Sequence, residues 1–448
     1  MLAWQRTLRR WPPLVSAPNA TPFVSLYVRG ALRGCFGSHE GDRAERLARA
    51  FLLALGDTRF GRIGADERSV VAAQLSYLRR IERCSFDEAT ARIEPGTHGV
   101  AVAPPGRPPV LLLPQVARDQ RLDTGALLEA LARKAQLSMD ALREMDLYVV
   151  EADELVARPD RPTERVRRRT RPRERTSPID LAARWIADRI GASGELDVLV
   201  DARTGEVAAR VGMRLARAAT AIQALSAHGG HRDALAKARR WLEREAGALA
   251  RGGAHGEDID GPAALAGTLA LAALGGARVR DALIARARRC EELPRAPWHA
   301  AQVVAALGPD APAELWRACV LDLDARPWAP WTALAAKARG DEAVLGRTVA
   351  ALAASVRASA PHAGGVEGTG VPQLALTAIC AEAMSHVREA RPRADAARAF
   401  LRRWQLSPES IGAALEPSVA RGAFPASPIA PSILRADVTG HALLALLA

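Results

Sequence analysis

Cys35 has the surroundings in this chain that most plainly invite chemistry, because Gly34 and Gly37 flank it and Ser38, His39 and Glu40 follow. Glycine has no Cβ, so a ligand or a partner backbone is expected to approach the sulfur closely. Arg33, turned toward the thiol, would favour the thiolate and raise its reactivity. Residues 22–156 contain two histidines, His39 and His98. A Cys–His nucleophile pair can be built from these residues, with Glu40 as a further proton-transfer group, and so can a sparse metal site that lacks an evident third ligand. Plainer readings stay open beside these. Cys35 can be a structural thiol on a tight hairpin, His98 can hydrogen-bond a turn between Thr97 and Gly99, and Gln115 is an amide that needs a partner if buried. The catalytic candidates are thus Cys35, His39, Glu40 and His98, and the binding candidates are Arg33, Gly34, Gly37, Ser38 and Gln115.

The elements that must position these residues can be read from patterning. Residues 23–28 (FVSLYV) alternate and are rich in aromatic and β-branched side chains. The Arg29-Gly30 pair offers a turn into residues 31–36, which makes a hairpin with Cys35 on its second strand. Residues 42–55 place Leu47, Ala50, Phe51 and Ala54 on one helical face before Gly56 stops the helix. Further strands are expected at 70–78, 99–103, 110–113 and 147–151, and helices at 123–135 and 139–144. Strands and helices mixed without strict βαβ alternation predict an α+β domain over 22–156, after an N-terminal extension at 1–21.

Four blocks in this region resemble the AMMECR family. Leu32-Arg33-Gly34-Cys35-Phe36-Gly37 is similar to its LRGCIG signature, with Phe36 in the place of isoleucine. Asp57-Thr58-Arg59-Phe60, Gly96-Thr97-His98-Gly99-Val100 and Leu113-Pro114-Gln115-Val116-Ala117 follow in the family's order and spacing. The resemblance implies an α+β fold with the signature lining a cleft. It also implies a place in a modification pathway, with RNA as one target, because relatives are encoded beside or fused with Memo-type and radical-SAM proteins. The leading expectation is a substrate-binding or accessory component. An enzyme using Cys35 as nucleophile and a non-catalytic scaffold are the alternatives.

The formal charge of +12 is concentrated rather than spread. Residues 1–156 carry 21 basic and 19 acidic side chains, whereas 157–178 carry nine Arg against three acids. That segment also holds four Pro and almost nothing apolar, so it reads as a tether that cannot bury a core. A basic arm for RNA or another polyanion is the alternative, with weak, salt-labile binding. Neither flanking part has the basic dominance of a groove-binding surface.

From residue 179 onward Ala, Leu and Arg dominate segments broken by Gly, Pro and Asp, and strand signals almost vanish. About twelve helices are expected, two of them at 262–275 and 279–292, which is the spacing of a helical-pair array. Irregular lengths without a consensus repeat favour an all-α, six-hairpin α/α toroid over 179–448. Its Cys290, Cys319 and Cys380 read as core. Asp322 and Asp324, two apart on a helix, point in different directions. His255, Glu257, Asp258 and Asp260 miss calcium-loop spacing, and Asp260 before Gly261-Pro262 suits a helix N-cap. The tryptophans of this half read as packing groups, and residues 424–445 weakly resemble the last loop and helix of prenyltransferase-like toroids. No metal or cofactor is called for.

Five scattered Cys without a CxxC pair argue against a disulfide framework and fit a reducing cytosol. The opening MLAWQRTLRRWPPL lacks the apolar core of a secretory signal. Apolar runs such as 263–274 fall short of the roughly 20 residues that span a bilayer, so no membrane is expected.

Overall fold

In a computed structural model of the chain, the described residues are 21–28, 31–61, 63–64, 67, 71–158, 161–165, 177–208, 214–250, 281, 297–320, 329–358, 362–366, 372–407, 415–428 and 430–448. The chain divides into two compact units, one built mainly from the first 174 residues and the other mainly from those after them.

In the first unit, β1 (Pro22–Val28) and β2 (Ala31–Gly37) pair antiparallel with Ser25 opposite Cys35. Helix α1 (Arg43–Leu55) follows, started by a capping box in which Asp42 accepts from Ala44 and Glu45 while Glu45 accepts from the Asp42 N–H. Strand β3 (Val71–Cys84), α2 (Phe86–Arg92), β4 (Gly99–Val102), β5 (Val110–Leu112), α3 (Pro114–Gln120), α4 (Thr124–Ala135), α5 (Met139–Arg143), β6 (Leu147–Arg158) and β7 (Arg161–Arg165) complete it. The sheet order is β2-β1-β3-β6-β4-β5, with β7 also paired to β6. This is the α+β fold expected, with an antiparallel sheet.

Side-chain alternation divides the sheet into an apolar and a polar layer. Val24, Leu26 and Val28 pack with Ala50, Phe51 and Ala54 of α1 in one core. The intervening Ser25 is buried together with Gln74, Ser76, Gln115 and Glu154, each at most 3% exposed. A second apolar core gathers α3, α4 and α5 against β4 and β6.

Two short helices escaped the sequence reading. Helix α2 is a single capped stretch behind Ser85, and α3 begins with Pro at its first turn and ends at Arg121 in the left-handed region (φ 55°). Seven residues are too few to display an apolar period. Strand pairing also runs into the segment read as a tether, through β6 to Arg158 and through β7. Pro162 is tolerated in β7 because, among the described residues, that strand pairs β6 alone. Residues 166–176 lie outside the described residues.

The second unit is mostly helical: α6 (Pro178–Asp188), α7 (Arg214–His228), α8 (Arg232–Ala250), α9 (Pro297–Leu307), α10 (Ala313–Val320), α11 (Ala329–Arg339), α12 (Glu342–Ser355), α13 (Leu374–Ser385), α14 (Arg391–Trp404) and α16 (Ala436–Leu447), whereas most of the short α15 (Pro417–Ala420) belongs to the first. Strand β8 (Leu199–Asp201) pairs with residues 433–435 of β10 (Ala430–Arg435), which follows β9 (Pro425–Ser427). These strands depart from the all-α expectation, being too short to register as alternation. Helices α7 and α16 pack closely because Gly440 has no side chain; a Cβ there would lie 2.8 Å from Ala221 Cα. The helix expected at 262–275 and, apart from Asp281, the one expected at 279–292 lie outside the described residues, together with Cys290 and residues 255–260 and 322–324. The described residues establish a mostly helical region, and the six-hairpin ring stays an expectation.

Candidate functional site

Cys35 sits on β2, the edge strand of the sheet, and is partly exposed. Its backbone groups facing away from β1 are taken up by side chains. Asp57 Oδ2 accepts the Cys35 N–H at 3.0 Å, and Arg59 Nη2 donates to the Cys35 carbonyl at 2.8 Å. Arg59 also donates to Asp57 from Nε at 2.9 Å and from Nη2 at 2.7 Å. The Asp57–Arg59 pair thus imitates the strand that β2 lacks, and it blunts an edge that would otherwise recruit another chain. Burial pushes the Asp57 carboxyl up, but the Arg59 side chain and the Cys35 and Arg59 N–H groups outweigh this and hold it below the usual carboxylate range.

The sulfur points into the polar layer. Ser25 Oγ donates to Cys35 Sγ at 3.3 Å, Gln115 Nε2 donates to Ser25 Oγ at 3.1 Å, and Ser76 Oγ donates to Gln115 Oε1 at 3.5 Å. A second chain runs beside it. Gln74 Nε2 donates to Glu154 Oε1 at 2.9 Å, Arg118 Nη1 donates to Glu154 Oε2 at 3.2 Å, and Tyr27 Oη donates to Asp119 Oδ2 at 2.6 Å. Burial pushes the Cys35 thiol above its ordinary range, against the Ser25 hydrogen bond and the Lys134 and Arg59 charges that pull it down. The sulfur is therefore held as a thiol near neutral pH.

Outside the sheet edge, Arg59 lies over two exposed rings. Its guanidinium carbon is 5.4 Å from the Phe36 centroid and 5.6 Å from the Phe60 centroid. Phe36 is 36% and Phe60 38% exposed, so a cation between two accessible aromatics stands beside Cys35.

A family model described as AMMECR1 matches residues 5–155. A protein of Methanosarcina acetivorans is 34% identical over 134 residues, which is 29% of this chain and 67% of that protein. One from Methanosarcina mazei is 33% identical over 135 residues, with the same shares covered. The chain belongs to the AMMECR1 family. Among solved structures, an uncharacterized protein from Pyrococcus horikoshii is 25% identical, with 37% of this chain and 91% of that chain covered at a TM-score of 0.31.

The AMMECR1 domain brings only some of the sequence candidates together. Gln115 is buried at 2% exposure and reaches Cys35 through Ser25. Arg33 pairs with Glu67 at 2.9 Å. The space left by the glycines is already filled. A Cβ on Gly34 would lie 1.9 Å from the Ala54 carbonyl oxygen, and one on Gly37 2.5 Å from the Phe23 ring. Ser38 is buried and its N–H closes the hairpin onto the Pro22 carbonyl at 3.2 Å. His39 and Glu40 are exposed, with Glu40 paired to Arg49. His98 Nδ1 accepts the Glu94 N–H at 3.1 Å, the turn-stabilising arrangement named above as its plainer reading. Among the described residues the Ser25 hydroxyl alone hydrogen-bonds the sulfur. Ser25, Asp57, Arg59 and Lys134 were missed as site residues, although Asp57 and Arg59 stand in one of the recognised blocks.

Among the described residues, no group of three or more His, Cys, Asp or Glu is placed to hold a metal ion. Nor is any helix among them long and apolar enough to cross a membrane.

Proposed function

We propose that the AMMECR1 domain is a recognition module that docks a substrate or partner on the Phe36–Arg59–Phe60 surface beside Cys35, as an accessory component of a modification pathway. The observation that carries this reading is the pair of exposed rings bracketing a guanidinium, since aromatic and Arg side chains dominate the energetics of docking sites. The Asp57 clamp keeps the guanidinium fixed, so little side-chain freedom is lost on binding. In this reading Cys35 is a neutral thiol behind the docking surface, its sulfur turned into the polar layer, and it neither attacks nor contacts the bound partner. Memo-type and radical-SAM proteins are the partners that the family resemblance implies, in the cytosol. The helical unit adds ligand or partner binding, with its hairpins closing as a toroid, and the arginines of 157–178 add weak, salt-labile contact with nucleic acid.

A second reading, Cys35 as a nucleophile, draws on the Ser25 hydroxyl at the sulfur and on the Lys134 charge. Photo-cross-linking separates the two. With benzoylphenylalanine replacing Phe60 in the full-length protein, one dominant adduct from native extract is expected by mass spectrometry. Phe36→Ala, which leaves the Asp57–Arg59 clamp in place, should lower its yield about 10- to 30-fold, the usual cost of truncating an aromatic anchor. Cys35→Ser should leave the yield unchanged. Loss of the adduct on Cys35→Ser, or an undiminished yield with Phe36→Ala, contradicts the docking reading.

A further inference from the structure

The helical unit contains a cavity of about 480 Å³, within the size range of small-molecule sites. Helices α7, α9, α11, α13 and α16 each turn one stripe of residues toward it, and these stripes carry the polar groups of helices that otherwise bury Ala, Leu and Val. Arg217, Lys337 and Arg435 line it, facing the carboxyl groups of Asp437 and Glu382.

The charges do not cancel. Asp437 is 6% exposed and bound by Arg435, whose Nε donates to Oδ1 at 3.1 Å. Burial pushes the Asp437 carboxyl up, yet Arg435 and Arg217 outweigh this and keep it ionised. Burial pushes the Glu382 carboxyl up to about 7, which removes much of its charge near neutrality. Three cations therefore meet one firmly ionised carboxylate. Arg217 is desolvated and repelled by Arg435, and among the described residues its guanidinium makes no hydrogen bond. A like-charged pair sharing a single carboxylate in a shielded pocket is relieved by a bound anion.

A second observation lies in the same wall. His441 lines the cavity at 6% exposure, and its Nδ1 meets no hydrogen-bond partner. Its ring stands edge-on to Trp331, with centroids 5.2 Å apart. An orphaned buried nitrogen is a standing cost unless something pairs with it, so a ligand atom there recovers a loss already incurred. Trp331, Leu334, Ile379 and Leu444 supply apolar wall in the same space.

We propose that this cavity binds an amphiphilic organic anion, with its carboxylate or phosphate head on Arg217 and Arg435 and its apolar body along Trp331. The proposal rests on the helical unit alone and is independent of the docking reading for the AMMECR1 domain. The excess of guanidinium and ammonium over carboxylate selects against cations.

Calorimetric titration of the full-length protein with octanoate, octyl phosphate and octylammonium, each below its micellar concentration, tests it. At least one of the two anions should bind saturably with a Kd at or below about 1 mM, with octylammonium binding at least tenfold more weakly. The better of octanoate and octyl phosphate identifies the head group. Arg217→Gln should weaken the anion at least tenfold without changing the helical circular dichroism signal, and Arg217→Lys should restore part of the affinity. If Arg217→Gln perturbs folding, Trp331→Leu provides the independent variant, expected to weaken all alkyl ligands while keeping the preference for anions. Equal binding of octylammonium, unaltered anion affinity in folded Arg217→Gln, or no saturable binding of either anion up to 10-fold above 1 mM overturns the proposal.

Discussion

Replacing Glu154 by alanine is expected to destabilise the AMMECR1 domain by about 3–5 kcal/mol, the cost of leaving a buried charge without its partner. Glu154 is 3% exposed and accepts from both Gln74 and Arg118. Burial pulls the Arg118 guanidinium down, but Glu154 and Asp119 outweigh it, so it stays firmly cationic. Without Glu154, Arg118 retains Asp119 at 3.7 Å, a carboxyl that burial itself pushes toward the neutral form. The Gln74 amide loses its acceptor as well. Hydrogen exchange of β3 and β6 amides in the full-length protein should accelerate by about two to three and a half orders of magnitude if exchange follows global opening of this domain. Glu154→Gln keeps an acceptor for Gln74 and should fall between wild type and Glu154→Ala. Unchanged protection in Glu154→Ala would mean that water or another group takes over Arg118.

Gly34→Ala should be nearly as damaging, at about 3 kcal/mol, the upper end of overpacking costs. The added methyl would lie 1.9 Å from the Ala54 carbonyl oxygen and 2.9 Å from its carbon. Both are backbone atoms, so relief requires α1 to lift from β2. Gly37→Ala meets the Phe23 ring instead, a side chain that can turn aside, and should cost distinctly less. Exchange protection along α1 reads the difference. Equal effects of the two substitutions would place the close approach elsewhere.

The comparison of these two glycines shows how far the sequence could be read. Both positions were legible as places of close approach, but not what approaches, since Ala54 and Phe23 reach them only through tertiary packing. The hairpin and α1 were legible because alternation, the Asp42 cap and the terminating Gly56 agree with one another. Helix α3 was not legible, having seven residues and Pro at its start, and it carries Gln115, Arg118 and Asp119. Gln115 could be recognised as an amide in need of a partner, yet Ser25 and Ser76 supply that partner from strands far away in sequence. His39 and Glu40 follow Cys35 closely along the chain but lie beyond the end of β2, where the chain has left the sheet. Neighbours in sequence were thus poor guides to neighbours of the sulfur. The block from Asp57 to Phe60 held the better evidence, because residues two apart can place a carboxylate and a guanidinium on one exposed strand edge.

The proposed docking role treats Cys35 as a shielded thiol rather than an activated nucleophile. Burial raises its pKa, so the thiolate fraction at neutral pH is below that of an ordinary thiol. Cys319 and Cys380 are more deeply buried, with Cys319 pushed up to about 12. The most direct measurement is the rate of iodoacetamide alkylation at each cysteine of the native protein from pH 6 to 10, followed by peptide mass spectrometry against N-acetylcysteine. Cys35 should react before Cys319 and Cys380 yet more slowly than the free thiol at pH 7, its rate still rising through about pH 9. A Cys35 rate that exceeds the free thiol at pH 7 and levels off below pH 8 would contradict the shielded thiol and restore the nucleophile.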